Sequence, residues 1–170
     1  MDEFELIKSY FQQLTNNNPS ALKLNDDVFF DKKNKIVLSM DTYNEGVHYL
    51  NFKNPKFLIK KIIRSSISDL ICKGVRPKYI FISGSGNKNH FNKKNLKMIS
   101  KSINEEQKKY NIKLSGGDTT KSKTSSFTIV SLGLSQKIVR RNNVSIDEDI
   151  YVTGNLGDSF VGLQILKKKN

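Results

Sequence analysis

The segment from residue 55 to residue 74 constrains the fold more than any other part of this sequence. Its apolar residues recur every three or four positions, which puts them on one face of an α-helix. The segment opens with Pro55 and closes with Gly74 shortly before Pro77, as a helix and its C-terminus should. The face consists of Leu58, Ile59, Ile62, Ile63, Ser66 and Leu70. A helix with such a face must pack against a second layer of structure.

Short apolar runs on both sides of this helix predict the strands of that second layer. Strands are expected at 28–30, 36–40, 79–83, 112–114, 127–134 and 150–153, and further helices at 3–14, 92–110 and 160–166. The first two strands would form a hairpin, and its second strand would end at Asp41 and Thr42. This order of elements predicts an α+β fold, in which a mixed β-sheet carries helices on one side.

A chain of 170 residues fits one domain, or one domain and the beginning of another. We expect an N-terminal domain over residues 1–136. A linker and the truncated start of a second domain would follow at 137–170, because the last predicted helix breaks off in the run Lys-Lys-Lys-Asn.

The N-terminal residues, the apolar runs and the cysteine count indicate where in the cell the protein resides. The first residues are acidic where an export signal would be basic, and no run of about 18 apolar residues occurs. We therefore expect a cytoplasmic protein without a membrane segment. The single cysteine, Cys72, excludes a disulfide framework and a multi-cysteine zinc site, and we expect its side chain to be buried.

The net charge of +13 would normally favour nucleic acid as a partner. Only four of the 29 basic residues are arginine, however, and arginine is the residue that specific phosphate and base recognition favours. The lysines are spread along the whole chain among many asparagines. We interpret the charge as a general basic surface and do not expect a nucleic-acid-binding face.

The common nucleotide, hydrolase and zinc motifs are missing from the sequence, including G-x-x-x-x-G-K-[ST], H-R-D, G-x-S-x-G and H-E-x-x-H. Residues 84–87, Gly-Ser-Gly-Asn, resemble a glycine-rich phosphate loop without its third glycine. A flexible connection between a strand and a helix is the better interpretation of that segment.

Five aspartates stand close to the ends of predicted elements in this acid-poor chain: Asp26, Asp27, Asp41, Asp69 and Asp118. Neighbouring carboxylates repel one another and lose hydration beside apolar strands, so a cation would stabilise the set. Magnesium takes a few carboxylates and fills its other positions with substrate phosphates and water, which points to Mg-nucleotide chemistry. Each aspartate could instead be a turn or capping residue. That alternative is weakest for Asp118, because the two preceding glycines let the backbone approach a ligand.

Five motifs, in this order and at this spacing, resemble those of the thiamine-monophosphate kinases. They are Asp26-Asp27; Ser39-Met40-Asp41-Thr42 with Glu45-Gly46-Val47-His48; Ser68-Asp69-Leu70 with Gly74 and Pro77; Gly116-Gly117-Asp118-Thr119-Thr120; and Tyr151-Val152-Thr153-Gly154 with Leu156-Gly157-Asp158. The resemblance covers essentially the whole chain. It implies the fold of the wider superfamily that includes aminoimidazole ribonucleotide synthetase.

The resemblance also implies roles for single residues. Magnesium would be bound by Asp27, Ser39, Met40 through its backbone oxygen, Asp41, Asp69 and Asp118. ATP would contact Gly117, Asp118 and Arg141, although Arg140 competes for the role of Arg141, and the second substrate would contact His48. Without its motif, His48 would be interpreted as a partly buried histidine with satisfied ring nitrogens. No side chain would act as an acid, a base or a nucleophile.

Three residues and the length depart from the family pattern. Asn25 stands where the family usually has glycine, and Cys72 and Lys73 stand where it prefers small apolar residues. The chain ends where the family's second domain begins, so we expect either a fragment or a truncated product, with little activity alone.

The implied activity is ATP-dependent phosphorylation of thiamine monophosphate to thiamine diphosphate by a homodimer. Two alternatives stay open. The chain could belong to another ATP-using enzyme of the superfamily with a different acceptor. It could also be a non-catalytic half-domain that binds nucleotides or nucleic acid.

Overall fold

The computed structural model describes residues 1–142 and 144–168. Contacts divide the chain into a first unit, Met1–Arg140, and a second unit, Arg141–Asn170. The boundary expected between residues 136 and 137 falls close to this division. Residues 143, 169 and 170 of the expected second region lie outside the described residues.

The first unit contains a five-stranded sheet with the spatial order β1-β2-β5-β3-β4. The strands are β1 (Phe29–Asp31), β2 (Ile36–Asn44), β3 (Pro77–Gly86), β4 (Lys113–Lys121) and β5 (Ser126–Leu134). Neighbouring strands run antiparallel except β3 and β4, which run parallel. A parallel pair needs a crossover connection, and a helix between these two strands provides it.

Residues 1–142 and 144–168 form four α-helices: α1 (Glu3–Leu6), α2 (Pro55–Cys72), α3 (Lys93–Tyr110) and α4 (Asp158–Lys168). A π-helical turn at Ile7–Phe11 and 3₁₀ segments at Gln12–Thr15 and Pro19–Leu24 follow α1. Asn54 caps α2 by accepting a hydrogen bond from the Phe57 backbone N–H, and Asn92 caps α3 through Asn95 in the same way. The second unit contains α4.

The hydrophobic core lies between one face of the sheet and helix α2. Alternate residues of β2 and β5 are buried on this face, among them Tyr43, Phe127 and Ile129. They pack against α2 residues such as Ile59 and Ile63, which are fully buried. The predicted mixed sheet with helices on one side is confirmed.

The opposite sheet face, called here the open face, carries the intervening residues of each strand. Its rows can be followed across the sheet from the strand pairing. An apolar half consists of Leu38, Met40, Tyr79, Phe81, Val130 and Leu132, and a polar half includes Thr42, Thr128, Ser83 and Asp118. Met40 is 66% exposed and Phe81 36%, so apolar surface is left open to solvent on this face.

Several predicted boundaries were wrong because strand pairing continues into polar sequence. Strand β2 runs through Asp41 and Thr42 instead of ending there, since both pair with β5. Strand β4 likewise includes residues 116–120, because they pair with residues 81–85 of β3. Strand β3 continues through Gly86, so most of the expected flexible connection at 84–87 is strand.

Of three further predictions, two were wrong and the one for residues 3–14 was right in part. Residues 150–153 form no strand, because no neighbouring segment of the described chain supplies a ladder for them. The expected helix at 3–14 is α-helical only at Glu3–Leu6 before its hydrogen-bonding pattern changes. Cys72 is exposed, because it lies on the side of α2 away from the sheet. Among the described helices, none has both the length and the apolar character to cross a membrane.

Candidate functional site

Three of the predicted magnesium-binding aspartates lie close together where β2 meets α2. Asp41 is on the helix-covered face of β2, Asp69 is on α2, and Asp27 precedes β1. Burial raises the pKa of the Asp41 carboxyl, and the negative charges of Asp69 and Asp27 raise it further. We call this group the acidic cleft. A cavity of about 220 Å³ beside it is lined by Asp26, Asp27, Ser39 and Met40, among others.

Neutral hydrogen-bond donors hold two of these carboxylates in place. The Ser39 hydroxyl donates to Asp69 Oδ2 at 2.8 Å, and the Tyr43 hydroxyl donates to Asp41 Oδ2 at 3.2 Å. Burial and the nearby carboxylates raise the pKa of Tyr43 to about 12, so its hydroxyl stays protonated at neutral pH. Sequence analysis missed Tyr43. Its alternation with Ser39 and Asp41 along β2 was the signal that placed it on the same face.

The residues of the acidic cleft fit a divalent cation. Burial is the main cause of the raised pKa of Asp41, and the charges of Asp69 and Asp27 add to it, so a cation bound beside Asp41 would favour its ionised form. Within residues 1–142 and 144–168, no three acidic, histidine or cysteine side chains form a group that could hold a metal ion by themselves. Magnesium needs only one or two carboxylates when phosphate oxygens and water complete its coordination, so the arrangement suits an ion that arrives with a phosphorylated substrate.

The fourth predicted magnesium ligand, Asp118, lies elsewhere. It pairs with Ser83, which pairs with Thr128, which pairs with Thr42, so three strand spacings separate it from β2. Three spacings amount to about 14 Å between backbones. Asp118 also belongs to the open face, whereas Asp41 faces α2. One ion therefore cannot bridge Asp41 and Asp118 of the same chain.

Gly117 allows β3 and β4 to approach each other beside Asp118. A Cβ atom at Gly117 would lie 1.9 Å from the Ile82 carbonyl oxygen, which leaves no room for any side chain. Asp118 itself is exposed, and its Oδ1 accepts a hydrogen bond from the Thr119 backbone N–H at 2.8 Å. A cavity of about 660 Å³ lies against this segment and is lined on its other side by Phe91, Ile99 and other apolar residues.

The loop that follows β2 holds His48 in an exposed position. His48 Nδ1 accepts a hydrogen bond from the Asn44 backbone N–H at 3.0 Å, and its carbonyl accepts one from Lys61 Nζ. Glu45 anchors the loop by accepting hydrogen bonds from the Ser125 backbone and hydroxyl at 3.0 and 2.7 Å. Burial alone would raise the pKa of Glu45, but these hydrogen bonds outweigh it and lower that pKa. The exposed His48 ring is available for a ligand.

The remaining predicted site residues have different surroundings. Met40 belongs to the open face, and its backbone is paired with Val130 of β5. Arg141 begins the second unit and is exposed. Arg140 ends the first unit, and its Nε lies 3.7 Å from Asp26 Oδ2. Arg140 therefore belongs to the surroundings of the first aspartate pair.

Comparison with known proteins identifies relatives along the whole chain. The family model described as AIR synthase related protein, N-terminal domain, matches residues 23–135. A thiamine-monophosphate kinase of Buchnera aphidicola (subsp. Acyrthosiphon pisum) is 36% identical over 98% of this chain and 52% of the relative. A thiamine-monophosphate kinase of Haemophilus influenzae is 34% identical over 100% of this chain and 53% of the relative. The chain thus spans about half the length of the curated relatives it matches.

Solved structures show the same similarity in three dimensions. Thiamine monophosphate kinase from Aquifex aeolicus matches with a TM-score of 0.80 and 25% identity over 100% of this chain and 56% of that chain. The structure of AaThiL complexed with AMPPCP and TMP matches with a TM-score of 0.83 and 25% identity, over 100% of this chain and 55% of that chain. The resemblance expected from the five motifs is confirmed.

Proposed function

This chain belongs to the AIR synthase related protein family, and on that premise we propose that it serves the ATP-dependent phosphorylation of thiamine monophosphate to thiamine diphosphate. The observation that carries the proposal is the acidic cleft, where Asp69 and Asp27 lie close enough to Asp41 to raise its pKa, at the positions that the motif resemblance assigns to magnesium. The relatives named thiamine-monophosphate kinase and the structure with AMPPCP and TMP support this donor and this acceptor. Since ATP is the donor, we propose a cytoplasmic location.

The barrier to this reaction is the repulsion between two polyanions and their misalignment. Asp27, Asp41 and Asp69 would hold magnesium, with Ser39 keeping Asp69 oriented and the Met40 backbone oxygen as a further ligand. Bound magnesium would neutralise phosphate charge. The γ-phosphoryl group would pass directly to the acceptor phosphate, so the protein needs to position the reactants and does not need a nucleophile of its own.

The nucleotide would lie against Gly117 and Asp118, which are exposed on the edge strand β4. Arg141 stays the proposed phosphate-binding arginine on the family resemblance alone. A guanidinium suits this role because it forms paired hydrogen bonds with phosphate oxygens. His48 would contact the acceptor, since its ring is exposed at the end of the loop that Glu45 anchors.

A second copy of the chain would complete the site, and we propose that the protein is a homodimer. Asp118 and Asp41 of one chain are too far apart to share an ion and belong to opposite sheet faces. The apolar half of the open face supplies a surface that a two-fold partner would cover. Asp118, which belongs to the same face, would then lie beside this partner.

Sedimentation tests the dimer. Val130→Asp places a charge at the centre of the apolar half of the open face and should convert the dimer to a monomer. Ser126→Asp, on the polar half of the same strand, is the matched control and should leave the dimer intact. A wild-type chain that sediments as a monomer at all concentrations would contradict the proposal.

Calorimetry and phosphoryl transfer test the function. ATP should bind much more tightly with Mg²⁺ than with EDTA, and labelled γ-phosphate should move from ATP to thiamine monophosphate. Equal ATP affinity in both conditions argues against the magnesium site. Transfer to a different acceptor of the superfamily, or polynucleotide binding that needs no ATP and weakens steeply with salt, would replace the proposed function.

A further inference from the structure

Lys73 differs from every other lysine that the structure describes, because its side chain is buried, with 4% exposed. Burying an ammonium group is costly unless carboxylates pair with it. Lys73 is the C-cap residue of α2, and Gly74 turns the chain behind it with a φ of +72°. Its carbonyl accepts a hydrogen bond from the Val139 N–H at 3.1 Å. The backbone of Lys73 is therefore held at a fixed position next to the acidic cleft.

The ammonium group of Lys73 bridges the first aspartate pair. Its Nζ lies 2.5 Å from Asp26 Oδ1 and 3.3 Å from Asp27 Oδ2. The Asp26 side chain is fully buried, whereas the Asp27 side chain is 38% exposed. Arg140 adds a second positive charge, with its Nε 3.7 Å from Asp26 Oδ2.

Proteins bind divalent cations between carboxylates in the same way as Asp26 and Asp27 here hold the Lys73 ammonium between them. We propose that the Lys73 ammonium takes the place of a divalent cation between Asp26 and Asp27. Lys73 is thus a positioning residue that keeps Asp26 as a buried structural partner. It leaves Asp27, which is partly exposed and whose charge acts on Asp41, as the member of the pair that binds a cation in the wild type.

This inference goes beyond the proposed kinase function, because it concerns cation binding without nucleotide or acceptor. It predicts that removal of the ammonium creates a divalent-cation site that the wild-type chain lacks. Lys73→Met is the appropriate change, since methionine fills the space of the lysine stem but ends one atom short of Nζ. Mn²⁺ could then occupy the position that Nζ has left. We use Mn²⁺ in place of Mg²⁺ because the number of bound ions per chain can be measured, and both ions bind to carboxylates.

The experiment measures Mn²⁺ binding to the full chain by calorimetry and by electron paramagnetic resonance, without ATP. K73M should bind one more Mn²⁺ per chain than the wild type. Lys73→Arg, which keeps the charge, should bind the wild-type number. The double variant K73M/D26N should lose the extra ion, because a neutral amide cannot balance the cation. Lys60→Met, which breaks the α2–α3 ion pair with Glu105, is the matched control and should also bind the wild-type number.

A second measurement covers a K73M chain that is weakly folded, because it leaves a buried carboxylate without its ammonium partner. Saturating Mn²⁺ should raise the unfolding midpoint of K73M by about 5 °C more than that of the wild type, since the ion binds the folded state. Equal Mn²⁺ numbers in K73M and wild type overturn the proposal. The proposal is also overturned if saturating Mn²⁺ neither stabilises a folded K73M chain nor restores folding to an unfolded one.

Discussion

The acidic cleft and the Asp118 segment carry the same residue type in the same proposed role, yet their surroundings differ. Asp41 lies on the covered face of a central strand, beside Asp69 and within reach of the Tyr43 hydroxyl. Asp118 lies on the edge strand β4, whose residues are all exposed. In the cleft, neighbouring carboxylates repel one another and hydrogen bonds fix their orientation. The Asp118 carboxylate is instead exposed to water. We infer that the cleft determines cation affinity and that Asp118 contributes mainly to the nucleotide.

The largest expected effect is the loss of Mg-ATP binding in Asp41→Asn. Mutating residues that only orient metal ligands costs about 10- to 100-fold in metal affinity, so a direct ligand should cost at least about 100-fold. Calorimetry with Mg-ATP measures the change. Asp31→Asn, which removes a carboxylate from the last residue of β1, is the matched control and should bind as the wild type does. Equal affinities in D41N and D31N would refute the assignment of Asp41.

A smaller loss, of about tenfold, is expected for Asp118→Asn in the same titration, because the exposed carboxylate stays hydrated without a cation. Its unfolding midpoint should match that of the wild type, since Asp118 is exposed. An affinity loss as large as that of D41N would remove the distinction between the two regions.

Tyr43→Phe should weaken Mg²⁺ binding by roughly threefold to tenfold, because Asp41 loses the donor that orients it. Tyr49→Phe is the control of equal chemistry. Its hydroxyl bonds to Ser125, away from the cleft, so it should lower stability by about 1 kcal/mol without a change in Mg²⁺ affinity. If both variants bind Mg²⁺ equally well, Tyr43 has no orienting role.

The smallest effect concerns pH in the absence of metal. Because the pKa of Asp41 is raised above its ordinary 3.8, the folded chain holds a proton there that the unfolded chain has already released. The contribution of Asp41 to the free energy of unfolding therefore falls as the pH rises from 3.8 through the raised pKa. D41N lacks this titration, so its unfolding midpoint should gain a few degrees on the wild type between pH 3.5 and pH 7. Thermal unfolding in EDTA measures the difference, and a constant difference across this range would contradict the raised pKa.

Much of the fold could be predicted from local patterns. The α2 helix was found within a residue or two because its apolar face and its terminal residues, Pro55 and Gly74, are local signals. Strand ends were harder. Nothing local shows that β2 continues through Asp41 or that β4 includes Gly117, because both extensions depend on pairing with distant strands.

The residues of the candidate site could likewise be predicted only in part from the sequence. The motifs identified Asp27, Asp41 and Asp69, which the structure brings to one cleft, but they gave no sign that Asp118 is three strands away. Lys73 was visible as a departure from the family pattern, yet its role depends on a contact with Asp26 across 47 positions of sequence. The ion pair between Arg64 of α2 and Glu106 of α3 could not be predicted from the sequence. Both residues are of types that usually lie on the surface, and only the packing of the two helices buries Glu106.

The sequence by itself determined which residue types this chain brings to its chemistry, the amphipathic period of its long helices and its membership of a family with ordered motifs. These properties follow from the order of residues, since helical period, capping and motif spacing act over a few positions. Only the tertiary structure decided which aspartates share a cleft, which sheet face stays open and which lysine is buried against a carboxylate pair. Those outcomes depend on strand order and on burial, and both arise from contacts between residues far apart in the chain.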